Sequence, residues 1–243
     1  FLAEQLRDTD AQIVHLDFSE ASLSIAQQRA QQRGLDNIQW LHRSVLDLPM
    51  LGLAPFDYIN CSGVLHHLAD PDAGLRALLS VLAADGVLGL MVYARVGRTG
   101  VYHLQQALRW MHRDGSADGA TRLAHAKELL AHLPRSNWFV RAQELHHDHK
   151  MGDAGLYDLL LHSTDRAYSV DELYGWLADE HDLHLSLTDV GRGAAPYDCG
   201  MVLGPRKPAL LAEVAARPLR ERQAMAELIG GTLITHSLFA TRR

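Results

Sequence analysis

Two adjacent histidines follow a β-prone stretch in the segment FDYINCSGVLHHLADP, which covers residues 56–71. Imidazole gains or loses a proton near neutral pH and is also a common metal ligand. His66 and His67 could therefore form a metal site, supply a catalytic base, or line a pocket built from strand ends. Neighbouring residues on a helix point about 100° apart, so we expect one imidazole to pack inward and the other to face a pocket.

Length and composition limit the classes of protein to be considered. With 243 residues, 47% of them hydrophobic, the chain can form one substantial domain with an appendage or two small domains. A formal net charge of -6 argues against a nucleic acid partner, because it provides no broad basic surface. Cys61 and Cys199 are too few and too far apart for a disulfide framework, which favours a reducing, cytoplasmic location. No apolar stretch approaches the roughly 20 residues of a membrane span, so we expect no membrane partner.

Strands and helices alternate along the first part of the chain. β-prone runs predict four strands, at residues 12–17, 37–44, 56–62 and 87–94. Ser19 is placed to cap a helix that Gly34 ends, and Asp70 with Pro71 is placed to begin another that Gly86 ends. This alternation predicts the α/β class, with a doubly wound, mostly parallel, Rossmann-like sheet wrapped by helices.

An acidic residue ends the first of these strands. Parallel sheets bind ligands at the carboxyl ends of their strands, and an acid in this position accepts hydrogen bonds from the ribose hydroxyls of an adenine cofactor. The glycine-rich turn that binds the rest of such a cofactor lies about 20 residues before the acid. Counting back from Asp17 leads past Phe1, so we expect this turn upstream of the first residue. FLAEQL, with Leu2 and Leu6 on one face, is typical of the end of the helix that follows the turn.

Three segments taken together identify a family. IVHLDFSEASLSIAQQRA, NIQWLHRSVLDLP and FDYINCSGVLHHLADPDAGLRALLSVLAADGVLGLMVY resemble the class I S-adenosylmethionine-dependent methyltransferases in order, spacing and residue type. The resemblance extends over about residues 1–95 and is greatest to the small-molecule group, in which a Leu-His-His-Leu segment follows the fourth strand of the family. It implies that the protein is a methyltransferase with S-adenosylmethionine as its cofactor.

The resemblance also assigns roles to six residues at strand ends. It implies that Asp17 binds the ribose hydroxyls, Phe18 flanks the adenine, Ser44 and Val45 meet the adenine edge, and Cys61 and Ser62 line the methionine end of the cofactor. The chain departs from the family at Arg43-Ser44, where the family commonly has Gly-Asp. A hydroxyl or a main-chain group must therefore replace the usual carboxylate at the adenine amino group. By contrast, Asp57 begins its strand, and we interpret it as a residue that fixes a turn.

The remainder of the chain adds helices and closes the sheet. We expect a cofactor-binding core at 1–96, a helical lid insertion at 97–165, the rest of the core sheet at 166–205 and a helical tail at 206–243. Residues 169–191 predict a helix and then a strand, and residues 197–205 predict a second strand that completes an antiparallel hairpin. Because the insertion follows a strand end, five residues are candidates for meeting the methyl acceptor: Tyr93, Arg95, Arg98, Tyr102 and His103.

A second group of histidines lies in ELHHDHK, residues 144–150. His146, His147, Asp148 and His149 all have side chains that can ligate a metal ion. Consecutive residues rarely converge on one ion, however, and we expect no physiological metal in this protein.

The expected chemistry depends mainly on the cofactor. Methyl transfer is a direct displacement at a carbon that the sulfonium charge already activates, so the protein must chiefly align the acceptor and exclude water. The acceptor, an oxygen, nitrogen or carbon atom of a small molecule, is not identified by the sequence. For a phenol or an amine, a side chain must also remove a proton, and the catalytic candidates are His66, His67, Tyr102 and His103.

Two other functions belong to different classes. A nicotinamide-dependent dehydrogenase has a similar sheet, but its short-chain type needs Tyr-x-x-x-Lys, and no tyrosine here has a lysine four residues later. A catalytically silent, methyltransferase-like module that binds or regulates a partner is the remaining alternative, and the Arg43-Ser44 substitution would suit it.

Overall fold

The computed structural model describes residues 1–147, 150–162, 164–189, 191–204 and 209–243. These residues form two compact units, each presented separately below. The first comprises residues 1–56 and 70–83, and the second comprises residues 57–69 and 84–243. The predicted division into a core at 1–96 and 166–205 and a lid at 97–165 stays a prediction.

The first unit contains a parallel pair of strands and three helices. Its elements are α1 (Leu2–Gln5), β1 (Ile13–Asp17), α2 (Glu20–Gln32), β2 (Ile38–His42), a 3-10 turn (Val45–Met50) and α3 (Pro71–Ser80). Ile13 lies opposite Ile38 and Asp17 opposite His42, so β1 and β2 end side by side. The predicted caps are confirmed, since Ser19 accepts the backbone N–H of Ser22 and Asp70 that of Ala73.

The second unit is built on a five-stranded sheet. Its strands are β3 (Phe56–Ser62), β4 (Leu82–Ala94), β5 (Ala167–Tyr168), β6 (Leu183–Thr188) and β7 (Thr235–Arg242), with β3 and β4 each beginning in the first unit. The strand order is β3-β4-β7-β6, and β5 pairs with β4 in parallel. β7 is antiparallel to both β4 and β6, so antiparallel strands close the sheet as predicted, but the partner of β6 is β7 and not the strand expected at 197–205. The expected α/β, Rossmann-like class is confirmed.

The insertion between β4 and β5 is helical, as its sequence predicts. It contains α4 (Thr99–Met111), α5 (Gly119–Ala131), α6 (Trp138–Ala142) and α7 (Gly152–Leu161). The helices share a core of their own, in which Leu104, Leu108, Phe139, Leu156 and Leu160 are buried. Burial of several such side chains stabilises the insertion, since each contributes about 1.5–3 kcal/mol. No helix among the described residues is long and apolar enough to cross a bilayer.

Two predictions about the last part of the chain are wrong. A strand was expected at 197–205, but residues 197–204 do not form one: α9 (Cys199–Val202) begins where the Asp198 carboxylate accepts the N–H of Met201 at 2.8 Å. Among the described residues after 205, the helices are α10 (Leu210–Ala215) and α11 (Leu219–Gly230), and no helix follows Gly230.

The chain then forms the strand β7 in place of the predicted helical tail. Gly231 ends α11 with a φ of 63°, a conformation that favours glycine. In the strand that follows, His236, Leu238 and Ala240 are buried and alternate with more exposed residues. This period of two is the pattern of a strand, and it overrides the helical character of the preceding residues.

Elsewhere the predicted boundaries differ from the structure by a few residues. α3 ends at Ser80 instead of Gly86, because β4 begins at Leu82 and includes Gly86. A short helix, α8 (Val170–Leu173), and a π-helical turn (Tyr174–Glu180) precede β6. The capping box expected at Ser169 is present, with Glu172 as its second member.

Candidate active site

Four of the predicted cofactor residues lie at one edge of the first unit. Asp17 ends β1 and Phe18 follows it, while Ser44 and Val45 come shortly after β2, which pairs with β1. The Asp17 carboxylate accepts the N–H of Ser19 at 2.8 Å, which orients it beside the start of α2. The ring of Phe18 is 79% exposed and Val45 is buried. An oriented carboxylate next to an exposed aromatic ring suits a ribose with an adjoining base.

Ser44 belongs to a capping box. Its hydroxyl oxygen accepts the N–H of Leu46 at 3.2 Å, and its own N–H donates to Asp47 at 3.1 Å. A hydroxyl that accepts one hydrogen bond keeps its proton for donation to a second partner. Ser44 can therefore offer a donor at the strand end, where the family commonly has a carboxylate.

The remaining two cofactor candidates end β3 in the second unit. Cys61 is buried, and burial raises the pKa of its thiol to about 12. The thiol is therefore neutral and behaves as a small apolar side chain. Ser62 is exposed, and its hydroxyl donates to the Asn60 side chain at 3.0 Å. Cofactor binding by all six strand-end residues stays a prediction.

His66 lies at the centre of a buried cluster in the second unit. It belongs to a 3-10 turn (Leu65–His67), is 1% exposed, and its ring centroid lies 3.9 Å from that of Tyr93. The guanidinium carbon of Arg98 lies 3.7 Å from the Tyr93 ring centroid. Neither ring nitrogen of His66 has a hydrogen-bond partner within the described part of the chain. Burial, with smaller contributions from the charges of His67 and Arg98, lowers the pKa of His66 to about 3.

Arg98 is the charged member of this cluster. It is 1% exposed, and its Nη2 lies 3.9 Å from Oδ2 of Asp165, whose side chain is also buried. Gln105 donates from Nε2 to the same carboxylate at 3.1 Å and to the carbonyl of Leu159 at 2.9 Å. Burial raises the pKa of Tyr102, whose ring centroid lies 5.9 Å from the Arg98 guanidinium carbon. Buried charges are stable only when they are paired, so Asp165 is what allows Arg98 to lie here.

His67 lies at the edge of the cluster. It is half-buried, its Nδ1 is 3.2 Å from the carbonyl of Thr164, and its ring centroid is 5.4 Å from that of Tyr93. Burial lowers the pKa of His67, and the hydrogen bond to Thr164 opposes that shift. An imidazole in this state is neutral at pH 7 and keeps one nitrogen lone pair.

The structure does not bring every predicted acceptor residue into this cluster. His103 is exposed on α4, on a different face from the buried Leu104 and Gln105. Arg95 pairs with Glu172, with 2.6 Å between Nη2 and Oε1. In ELHHDHK, Asp148 and His149 lie outside the described residues.

Asp165 and Gln105 join the cluster although the sequence did not indicate them. Asp165 is followed by β5 and Gln105 lies inside α4, and neither position has a motif that would mark it. Only the fold brings them to Arg98.

A cleft of about 370 Å³ lies elsewhere in the second unit. It is lined by residues of the segment before α9, of α9, of α11 and of the segment before β7, among them Arg192, Pro196, Met201, Glu227, Gly231 and Leu233. None of the predicted cofactor or catalytic residues lines it, so we do not assign the chemistry to this cleft.

The buried imidazole of His66 gives a testable dependence of stability on pH. The unfolded chain takes up a proton at His66 near pH 6.5, whereas the folded protein does so only near pH 3. The unfolded state binds more protons between these values, so the free energy of unfolding falls as the pH falls through this window. We expect His66→Phe to reduce that slope by up to about 1.4 kcal/mol per pH unit, measured by urea unfolding from pH 5 to pH 7.

An unchanged slope in His66→Phe would show that His66 is hydrated in the folded protein. His103→Asn, which alters an exposed histidine, is the control and should keep the original slope.

Comparison with known proteins places the first residues in a recognised group. Residues 1–88 match the family described as "Methyltransferase domain". Over 184 residues the chain is 34% identical to uncharacterized protein syc1184_c of Synechococcus. This alignment covers 75% of the chain and 44% of that protein. Over 92 residues it is 35% identical to a tRNA 5-carboxymethoxyuridine methyltransferase of Escherichia coli K12, covering 37% of this chain and 35% of that enzyme. The chain thus spans less than half the length of these relatives.

A solved structure has a similar fold. PKMT2 from Rickettsia typhi, in complex with AdoHcy, superposes with a TM-score of 0.69 over 96% of this chain and 44% of that protein, at 16% identity. At this identity the likeness establishes the fold.

Proposed function

Because the chain belongs to the class I S-adenosylmethionine-dependent methyltransferases, with its methyltransferase domain matched over residues 1–88, we propose that it transfers a methyl group from S-adenosylmethionine to an acceptor. The family match over the segment that contains Asp17 and Ser44 is the observation that carries this proposal. The acceptor atom is an oxygen, a nitrogen or a carbon. Since the chain spans less than half of its relatives, the activity, substrate and partners of the whole protein are part of the proposal.

The strand-end residues are proposed to hold the cofactor. Asp17 accepts hydrogen bonds from the ribose hydroxyls, and Phe18 covers the adenine. Ser44 donates its remaining hydroxyl proton to the adenine edge, beside Val45. Cys61, as a neutral thiol, and Ser62 line the methionine end. When bound, S-adenosylmethionine supplies a methyl carbon that is already activated by the positive sulfur.

The buried cluster around His66 is proposed to line the binding site of the methyl acceptor. A side chain with a pKa near 3 is a weak base at neutral pH, so His66 orients its neighbours and does not remove a proton. His67 is neutral, half-buried and keeps a free lone pair, and it is the group that accepts a proton from a phenol or an amine. Arg98, held by Asp165, fixes Tyr93 and Tyr102 around this position.

The proposal includes a class of acceptor. We propose a small molecule, as the resemblance implies. The predicted exclusion of nucleic acid is not supported, because one relative is a tRNA methyltransferase, although a net charge of -6 provides no broad basic surface.

Replacement of Asp17 tests the cofactor site. We expect Asp17→Ala to weaken the binding of S-adenosylhomocysteine at least about tenfold, because a charge-assisted hydrogen bond contributes about 1.5–3 kcal/mol. Isothermal titration calorimetry measures this affinity directly. Asp17→Asn separates binding from folding, since its side-chain oxygen can still accept the N–H of Ser19.

Asp57→Ala is the matched control, because Asp57 lies near the start of β3 and not at a carboxyl end. It should leave the affinity unchanged. Equal affinities for the original chain and Asp17→Ala would remove the ribose assignment. Absence of binding to the full-length protein would favour the alternative of a silent module that binds a partner.

A further inference from the structure

Three potential metal ligands converge beside the buried cluster. His67, Asp158 and His162 each offer one ligand atom, and these atoms all lie within 4.8 Å of one another. His67 lies in the turn after β3, Asp158 lies in α7, and His162 is the C-cap residue of α7. Asp158 and His162 are four residues apart, so they lie on the same side of the helix end.

The donor set is that of a transition-metal site. Two imidazoles and one carboxylate hold zinc in sites that leave a further position open, and the same set is common for other divalent transition ions. The rings of His67 and His162 lie 4.3 Å apart between centroids, so both imidazoles are close enough to approach one ion.

His67 is held in the orientation that ligation needs. Its Nδ1–H donates to the carbonyl of Thr164 at 3.2 Å, which leaves the lone pair on Nε2. The hydroxyl of Thr164 donates in turn to the carbonyl of His67 at 3.0 Å, so the two residues fix each other. Imidazoles bound to metals commonly donate their second N–H to a carbonyl or carboxylate in this way.

His162 must change one hydrogen bond to ligate. Its Nδ1 accepts the N–H of Thr164 at 3.2 Å. A neutral imidazole has one free lone pair, so ligation replaces that bond with the bond to the metal. Asp158 is exposed, which gives the ion a path from solvent.

We propose that His67, Asp158 and His162 bind a divalent transition-metal ion. Zn²⁺ is the ion used to test this site. The site goes beyond the proposed methyl transfer and does not require it. Where both operate, the ion occupies the lone pair with which His67 would accept a proton, so metal binding and proton removal by His67 exclude each other.

Metal titration of the purified protein tests the proposal. Because ELHHDHK could bind metal by itself, the starting protein carries His147→Gln and His149→Gln, whereas the buried His146 is kept. We expect one Zn²⁺ to bind per chain by calorimetry in the absence of any cofactor, and Co²⁺ in its place to give a visible absorption band. Asp158→Asn and His162→Gln should each weaken Zn²⁺ binding at least about tenfold, since even the loss of a residue that only supports a ligand costs about 10–100-fold.

The controls decide between this site and general binding to surface histidines. His184→Gln alters an exposed histidine of β6 and should leave the Zn²⁺ affinity unchanged. Equal affinities in the starting protein and in His162→Gln would overturn the proposal, as would the absence of binding to the starting protein. Neither result depends on S-adenosylhomocysteine, so failure here is distinct from failure of the proposed function.

Discussion

Glu227→Ala is expected to lower the free energy of unfolding by about 2–4 kcal/mol, because each buried polar group that loses its partner costs about 1–3 kcal/mol. Glu227 is 1% exposed on α11, and His236 on β7 is fully buried. Oε2 of Glu227 accepts the N–H of Val170 at 2.8 Å, and Oε1 lies 3.2 Å from Nε2 of His236. The substitution leaves both of these groups buried without the carboxylate and also creates a cavity.

The neighbours of His236 add to this effect. Its Nε2–H donates to the carbonyl of Tyr168 at 3.0 Å, and its Nδ1 lies 3.1 Å from the hydroxyl of Tyr197. With Nε2 as the donor, Nδ1 accepts the Tyr197 proton, so one tautomer serves the whole network. The carboxylate of Glu227 thus supports a network that joins β7 and α11 to β5, to the start of α8 and to the turn before α9.

Urea unfolding of the protein and of Glu227→Ala measures the difference in free energy. Glu221→Ala is the control, because Glu221 is exposed in the first turn of the same helix. Surface substitutions of this kind usually change stability by less than about 0.5 kcal/mol. A loss below about 1 kcal/mol for Glu227→Ala would mean that the network contributes little and that water replaces the carboxylate.

Gly100→Ala is expected to destabilise the protein by about 3 kcal/mol, the upper part of the range for overpacking. A Cβ atom at Gly100 would overlap the backbone of Phe139, lying 2.6 Å from its Cα. The obstacle is main chain and not a movable side chain, so α4 and α6 would have to separate. Phe139 and Leu104 would then lose contacts in the core of the insertion.

Gly119→Ala is the matched control for this substitution. Gly119 is also a helical glycine of the insertion, in the first turn of α5, but a Cβ there would meet only the Tyr157 ring at 4.0 Å. Alanine also restricts the unfolded chain, so we expect a gain of about 0.4–1 kcal/mol. Urea unfolding of both variants measures the contrast. Equal stabilities would contradict the close approach of α4 and α6.

Local patterns predicted the first part of the fold well. The strand at residues 56–62 has the bounds expected from its β-prone run, and Asp70 caps the helix that Pro71 begins. These features depend on neighbouring residues, which a sequence displays directly. β7 was missed because its alternation of buried and exposed residues is short and follows a strongly helical segment.

Of the candidate site, the sequence predicted only the residues that are neighbours along the chain. That one histidine of the pair packs inward was predicted, and His66 is indeed the buried one. Asp165 and His162 could not be predicted, because they come to the pair through the folding of an insertion about a hundred residues along the chain. Neither residue lies in a pattern whose period or spacing points to His66 or His67.

The strand order of the second unit has a consequence for biosynthesis. β7 lies between β4 and β6, yet of the described strands it is the last to leave the ribosome. Until then, one edge of β4 and one edge of β6 have unpaired backbone groups, which can pair with other chains. The nascent protein therefore passes through an aggregation-prone stage, in which protection by a chaperone matters most until β7 has left the ribosome.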